Sequence, residues 1–183
     1  MILEIVKYGH PALRAKGKPV AEITEEIREL SESMLETMED ANGVGLAAQQ
    51  VGVPLQLAVL DVRFVEDRPS GMTIEGKPVN ITDYMPMVLL NPRLELSKDK
   101  EIGVEGCLSF PDITADIMRA GSVNAKATLL DGREIEFGAT GLLARALQHE
   151  VDHLQGILFI DRMNSATKAS LASRLKKMQK KAR

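Results

Sequence analysis

The sequence predicts a protein of the α+β class, and two observations support this prediction. Amphipathic helical patterns occupy three segments, one near the start of the chain, one after its middle and one at its end. Between them lie short apolar runs bounded by Gly, Pro, Asn and Asp, which are typical of antiparallel strands. A chain of 183 residues suits one domain with a core of its own. We therefore expect a single domain over residues 1–183, in which 162–183 form a basic C-terminal helix.

The first helix pattern is "TEEIRELSESMLETMEDA". Thr24 can cap its start, and two acids follow in the first turn, where they complement the helix dipole. The pattern ends near Asn42 and Gly43. Its apolar face consists of Ile27, Leu30, Met34, Leu35 and Met38.

The middle of the chain reads as strands interrupted by one polar excursion. Residues 66–83 are rich in polar residues with Gly and Pro, which predicts an exposed excursion. Asp131 and Gly132 join the last two strands and indicate a tight hairpin. The predicted strands are residues 54–62, 86–96, 122–130 and 133–138.

Helical spacing returns in "TGLLARALQHEVDHLQG", with Gly156 as its stop. The apolar positions of this second helix are Leu142, Ala146, Leu147, Val151 and Leu154. The final segment, "ATKASLASRLKKMQKKAR", is a third amphipathic helix with its own apolar positions. These are Leu171, Leu175 and Met178.

Composition and charge narrow the class of protein. No apolar run approaches the ~20 residues that span a bilayer, and the start lacks a signal-peptide pattern, so we expect no membrane association. The single cysteine cannot form an internal disulfide, which favours the cytoplasm. Residues 162–183 carry eight Lys/Arg and no acid, whereas the remainder has a net charge of −11. This basic segment is either a solvated helix face or a docking site for a polyanion such as RNA.

The segment "HEVDH" predicts a metal site on the second helix. Residues four apart share one helix face, so His149 and His153 can bind the same ion. Glu150 lies beside the first ligand, where its carboxylate can take a proton from a water held by the ion. The alternative is a pair of ordinary surface histidines. The metal interpretation is favoured because the chain has only three histidines and the rest of this helix is largely apolar.

A catalytic ion needs a third protein ligand. Phe159 occupies the position where one protease class has a third histidine, and no acid follows Asp161. Cys107, in "VEGCLSFP", is the remaining soft ligand, although a lone cysteine is usually an inert buried residue. The stretch "NGVGLAAQQVG" is either a packed glycine turn or the source of a catalytic amide, Gln50, that could stabilise an oxyanion.

These three stretches, in this order, resemble the peptide deformylases. The matching segments are Gly43 to Gln50, Glu105 to Ser109 and His149 to His153, and the resemblance covers nearly the whole chain. It implies small antiparallel sheets around a central helix that carries the HExxH motif. It also implies a hydrolase that removes the N-formyl group from the N-terminal formylmethionine of newly made proteins and releases formate.

The resemblance also assigns roles to residues of this chain. It implies Cys107, His149 and His153 as metal ligands, with Fe²⁺ as the usual ion and Zn²⁺ or Ni²⁺ as substitutes. It implies Glu150 as general base and acid, with Gln50 and the Leu108 N–H stabilising the oxyanion. The implied substrate-binding residues are Val44, Gly45, Gly106, Leu142 and Ala146. The basic C-terminal helix resembles one that docks such enzymes on the ribosome.

Two positions depart from the family pattern, and two other functions compete with this one. Thr114 replaces an arginine found in some relatives, and Gly103 replaces a bulky residue, which puts contacts with the peptide in question. One competitor is a small metallopeptidase, which Cys107 argues against. The other is a catalytically idle ribosome- or RNA-binding module on the same fold, which the intact motif residues argue against. Glu105 and Arg119 are expected to pair and hold the cysteine loop.

Overall fold

The computed structural model describes residues 1–182, and these contain three α-helices and nine strands. Arg183, the last residue of the predicted basic segment, lies outside the described residues. The helices are α1 (Glu25–Asp40), α2 (Gly141–Leu154) and α3 (Ser165–Lys181). The strands are β1 (Gly45–Ala47), β2 (Leu57–Leu60), β3 (Ser70–Ile74), β4 (Lys77–Pro78), β5 (Met87–Leu96), β6 (Lys100–Cys107), β7 (Phe110–Ala120), β8 (Ser122–Thr128) and β9 (Glu134–Thr140).

The strands form two antiparallel sheets. Seven of them lie in the order β1-β2-β5-β8-β9-β3-β4, and β6 pairs only with β7 in a separate two-stranded sheet. Helix α2 contacts strands of both sheets, and 11 of its 14 residues are buried. This arrangement confirms the α+β class with antiparallel sheets around a central helix and a further helix at the C-terminal end.

Local sequence signals determine where helix α1 begins and ends. The Thr24 hydroxyl accepts a hydrogen bond from the Ile27 N–H, which caps the start as expected. Met34 and Met38 are almost fully buried and pack in one cluster with residues of β2 and β5. The helix ends at Asp40, two residues before Asn42 adopts a left-handed φ of 56°.

The structure differs from the sequence prediction in the middle of the chain. The excursion at 66–83 supplies β3 and β4 to the large sheet, and its Met72 is buried, so this segment is more than an exposed loop. The β8–β9 hairpin is confirmed, but its loop runs from 129 to 133. Strands β6 and β7 were not predicted. None of the helices within 1–182 combines the length and apolar character needed to cross a membrane.

Candidate metal centre

The structure brings together the three residues predicted as metal ligands. Helix α2 presents His149 and His153 one turn apart, and β6 ends at Cys107 beside them. The ligand atoms of the three side chains all lie within 4.8 Å of one another, and Cys107 Sγ is 3.4 Å from His153 Nε2. The centre is therefore assembled from one helix and one strand that belong to distant parts of the sequence.

A buried carboxylate fixes the orientation of His149. His149 Nδ1 lies 2.9 Å from Glu105 Oε1, and Arg119 forms two hydrogen bonds to the same carboxylate at 2.8 and 2.9 Å. Burial alone would raise the pKa of Glu105, but the hydrogen bonds from Arg119 and His149 hold it well below its usual range. The ionised carboxylate can accept a hydrogen bond from the Nδ1–H of His149, which leaves Nε2 as the ligand atom. The expected pair of Glu105 and Arg119 is thus confirmed, in buried form.

The residues present fit a divalent metal ion. Ligand atoms around a tetrahedral ion lie about 3.5 Å apart, given bond lengths of roughly 2.0 to 2.3 Å, and the separation of Sγ and Nε2 is of this size. The two imidazoles have different surroundings: burial and the nearby charges of His149 and Arg119 hold the pKa of His153 well below its usual range. Burial disfavours the charged form of His149, but the hydrogen bonds to Cys107 and Glu105 outweigh it and hold the pKa of this imidazole well above its usual range. One thiolate and two imidazoles are ligands for borderline or soft transition metals.

Glu150 lies next to the centre and is almost completely buried. Burial raises the pKa of its carboxyl to about 7. Its Oε1 has no hydrogen-bond partner within residues 1–182. The carboxylate lies directly against Gly45, since a Cβ atom at that position would come within 2.5 Å of Glu150 Oε2. A larger residue at position 45 would therefore displace the Glu150 carboxylate.

The side-chain amide of Gln50 is oriented by two hydrogen bonds. Its oxygen accepts from the Ala47 N–H at 3.0 Å, so its NH₂ group faces the opposite way. That group donates to Ser109 Oγ at 3.2 Å and lies 3.6 Å from Cys107 Sγ. A buried amide donor therefore points at the metal-ligand cluster, as the functional interpretation of this stretch required.

A cavity of about 580 Å³ opens onto the centre. It is lined by every residue predicted for catalysis or substrate binding: Val44, Gly45, Gln50, Gly106, Leu108, Leu142, Ala146 and Glu150. Cys107 and His149 also line it, while His153 lies deeper and is 1% exposed. The geometry thus collects the sequence-predicted site residues around one cavity, with His153 behind its wall.

Sequence reasoning missed three residues close to this centre. Ser109 accepts the hydrogen bond from Gln50, and Asp152 binds Arg119 at 2.6 Å. Arg145 donates to Glu105 Oε2 at 2.8 Å from the preceding turn of α2. A signal for Arg145 was present, because a charged residue four positions before His149 shares the face that carries the ligands.

A family model described as polypeptide deformylase matches residues 2–169. The chain belongs to this family. A peptide deformylase from Methylacidiphilum infernorum is 46% identical over 180 residues, which covers 98% of this chain and 94% of the relative. One from Halothermothrix orenii is 44% identical over 162 residues, covering 88% and 94% respectively.

Solved structures of deformylases share the fold. A plant peptide deformylase superposes with a TM-score of 0.83 at 36% identity, covering 98% of this chain and 90% of that one. The Thermotoga maritima peptide deformylase has a TM-score of 0.74 at 36% identity, with coverage of 90% and 99%. Both the family prediction and the fold are confirmed.

The chain is a deformylase, a hydrolase that removes the N-formyl group from the formylmethionine of newly made proteins. Nothing supports the alternative of a catalytically idle binding module. The side chains of Cys107, His149 and His153 form a group that could hold a divalent metal ion, as expected for this family.

Proposed function

We propose that Cys107, His149 and His153 hold one divalent ion, which is Fe²⁺ in the cell and can be replaced by Zn²⁺ or Ni²⁺. The observation that carries this proposal is the convergence of the three ligand atoms within 4.8 Å at the cavity wall. When bound, such an ion supplies Lewis-acid polarisation of the formyl carbonyl and lowers the pKa of water at the site.

Glu150 acts as the general base and then as the general acid. Its carboxylate takes a proton from the water that attacks the formyl carbon, and a bond forms between that carbon and the water oxygen. The same carboxyl then delivers the proton to the nitrogen as the C–N bond breaks, releasing formate and a free amino group. The pKa of about 7 suits both steps, because proton transfer is most efficient near the working pH.

Gln50 and the backbone N–H of Leu108 stabilise the oxyanion that forms as water adds to the carbonyl. The Gln50 amide suits this role because its oxygen is held by Ala47, which fixes the direction of its NH₂ group. A fixed donor needs no reorganisation when the charge develops. One such donor contributes about 3 kcal/mol to the stability of the transition state.

The substrate chain lies in the cavity with its methionine side chain against Leu142, Ala146 and Val44. These side chains provide an apolar surface at the N-terminal half of α2. Backbone groups of Val44, Gly45 and Gly106 pair with the peptide in the manner of an added strand. Strand β6 has a free edge for this purpose within residues 1–182, because its sheet contains only β7 besides itself.

The enzyme works as one catalytic domain over 1–183 in the cytoplasm. The basic segment 162–183 docks it on the ribosome, where its formylated substrates emerge. Lys176, Lys177, Lys180 and Lys181 of α3 are all exposed, which leaves their ammonium groups available to a polyanion such as RNA.

The experiment that tests this function measures formate release from formyl-Met-Ala-Ser. The protein is purified without oxygen and loaded with Fe²⁺, and aliquots are exposed to air or stripped of metal. We expect rapid release from the iron-loaded enzyme, loss of activity in air, and recovery when Zn²⁺ or Ni²⁺ is added to the stripped protein. Absence of release from fully metallated protein would overturn the proposal. Cleavage of casein would favour the competing metallopeptidase.

A further inference from the structure

Helix α2 carries a buried arginine that the proposed mechanism does not use. The Arg145 side chain is 9% exposed. Its Nη1 donates to Glu105 Oε2 and to the Ile117 carbonyl, both at 2.8 Å. Its Nη2 donates to the Glu101 carbonyl at 2.9 Å. A buried guanidinium with this many short bonds is a fixed structural element of the centre.

The acceptors of Arg145 belong to both strands of the small sheet. Glu101 and Glu105 lie on β6, and Ile117 lies on β7. Cys107 is the last residue of β6, whereas His149 follows Arg145 by one turn on α2. One guanidinium therefore ties the strand that carries the thiolate to the helix that carries the imidazoles.

The unusual glycine at position 103 makes this bridge possible. A Cβ atom on Gly103 would lie 2.9 Å from both Cζ and Nε of Arg145, so any other residue would push the guanidinium away. The Gly103 carbonyl is itself 3.5 Å from Nη1. The departure from the family pattern at this position pointed to contacts with the peptide. In the structure, its side of β6 is occupied by Arg145.

Arg145 also completes the surroundings of the carboxylate that orients His149. Glu105 Oε2 accepts from Arg119 Nε and Arg145 Nη1, while Oε1 accepts from Arg119 Nη2 and faces His149 Nδ1. Arg119 comes from β7 and Arg145 from α2. The carboxylate is therefore held from two sides, and loss of either arginine removes one of them.

We propose that Arg145 is a positioning residue, which holds β6 and Glu105 against α2 so that Cys107 meets His149 and His153 at ligand distance. Gly103 is its partner, because it leaves room for the guanidinium. This inference rests on the proposed function in one respect, since it takes Cys107, His149 and His153 as the metal ligands.

The test uses the full chain loaded with Co²⁺, whose thiolate charge-transfer absorption reports directly on the bond to Cys107. Arg145→Met keeps the length of the stem and removes every hydrogen bond. Arg145→Lys keeps the charge, and its ammonium can reach Glu105 or the Glu101 carbonyl but cannot bridge them as a guanidinium does. We expect Co²⁺ affinity to fall roughly 10- to 100-fold in Arg145→Met, with a shifted or weakened thiolate band. The Co²⁺ affinity of Arg145→Lys is expected to lie between that of Arg145→Met and that of the unchanged protein.

Gln148→Met is the matched control. Gln148 also ties α2 to the small sheet, through the N–H and carbonyl of Ala120, but it does not touch Glu105. We expect it to lower thermal stability while leaving the thiolate band and the Co²⁺ affinity unchanged. An equal loss of affinity in Gln148→Met would show that any weakening of this helix contact suffices, which would overturn the specific role of Arg145.

The outcomes separate this inference from the function on which it rests. A folded Arg145→Met protein with unchanged affinity and band overturns the positioning role and leaves the ligand set intact. A cobalt-loaded parent protein without a thiolate band overturns the ligand set itself. If Arg145→Met does not fold, Gly103→Ala decides, because its Cβ displaces the guanidinium without deleting it. A smaller loss of Co²⁺ affinity in Gly103→Ala, with a weakened thiolate band, supports the proposal. Unchanged Co²⁺ affinity and an unchanged band in this variant overturn it.

Discussion

Helices α2 and α3 follow each other in the chain and are similar in length, yet they are packed in opposite ways. Of the 14 residues of α2, 11 are buried, whereas Leu175 is the only buried residue among the 17 of α3. The buried residues of α2 include five polar or charged side chains, namely Arg145, Gln148, His149, Glu150 and His153. Both segments show helical spacing of their apolar residues in the sequence, so the presence of this spacing alone does not distinguish them.

The difference in burial between α2 and α3 shows which helix can carry catalytic side chains. A buried polar group costs free energy unless it is paired, and α2 meets that cost with partners such as Glu105 for His149 and Ala120 for Gln148. Hydrogen bonds of this kind fix the orientations of Arg145, Gln148 and His149. Burial and neighbouring charges shift the pKa values of His149, Glu150 and His153. The lysine side chains of α3 remain in water, and of its charged groups Arg174 donates to the Asp112 carbonyl at 2.9 Å. Such a helix can support long-range attraction but not a reaction.

The largest effect is expected from His153→Ala on α2. This change removes the most deeply buried of the three proposed ligands, so the protein should lose its metal ion. We expect formate release to fall by at least about 1,000-fold, since both Lewis-acid chemistry and water activation depend on the ion. Metal content by elemental analysis and the rate of formate release measure the two losses together.

His10 provides the matched control, because it is the one histidine outside the motif. It caps a short 3₁₀ turn through Nδ1, which accepts from the Ala12 N–H. His10→Ala should cost about 1 kcal/mol of stability through the lost cap and leave metal content unchanged. Retention of a full complement of metal by His153→Ala would contradict the proposed ligand set.

The second prediction concerns Glu150→Gln. The amide keeps the size of the side chain against Gly45 but cannot accept a proton. We expect metal content to stay at the unchanged protein's level and kcat to fall by roughly 100- to 10,000-fold. His153→Ala and Glu150→Gln, both on α2, thus separate metal binding from turnover. A near-normal kcat in metal-loaded Glu150→Gln would remove this residue from the role of base.

Sequence reasoning worked best for elements whose buried side chains are apolar. The face of α1 was predicted because burial follows the helical period there. Helix α2 and strand β5 contain long buried runs, and they were predicted because most of these buried residues are apolar. Strand β6 was missed because its pattern is inverted. Ile102 and Val104 are exposed, while Gly103 and Glu105 point inward to the guanidinium of Arg145 and to Arg119. A strand whose inner face is a charged network shows no apolar alternation to detect.

In the candidate site, too, the residues with a recognisable pattern in the sequence were predicted and those without one were missed. Cys107, Glu150 and both motif histidines were predicted because each residue type is rare or has a recognisable spacing. Arg145 shares the helix face of His149 but was not predicted, since an arginine in a helix normally extends into solvent. Nothing in its own segment identifies Glu105, forty positions earlier, as its partner. A long-range pairing of common residue types depends on tertiary packing, which one sequence does not display.

The third prediction moves to α3 and affects stability more than activity. Leu175 packs in one cluster with Phe110, Leu158 and Phe159. We expect Leu175→Ala to lower the free energy of unfolding by about 2 kcal/mol, at the lower end for buried leucines because α3 can adjust. Formate release at room temperature should be unchanged. Leu171→Ala is the control, and it should cost less because Leu171 is only half-buried. A large loss of activity in Leu175→Ala would mean that α3 supports the centre directly.

The smallest effect on the reaction is expected from removing four of the six positive charges of α3. Changing Lys176, Lys177, Lys180 and Lys181 to glutamine leaves Leu175 in place, which a deletion of the helix would not. Deformylation of a short peptide should proceed unchanged, because these side chains are exposed and lie outside the cavity.

Co-sedimentation with ribosomes should instead weaken and lose most of its salt dependence, since each cation that contacts a phosphate releases counterions. The control changes three exposed lysines of the strand region, Lys98, Lys100 and Lys126, in the same way. Equal weakening in both variants would indicate unspecific attraction, and unchanged co-sedimentation in the α3 variant would leave its charges as a solvated surface. Only selective loss makes α3 a docking element, with the reaction itself assigned to α2.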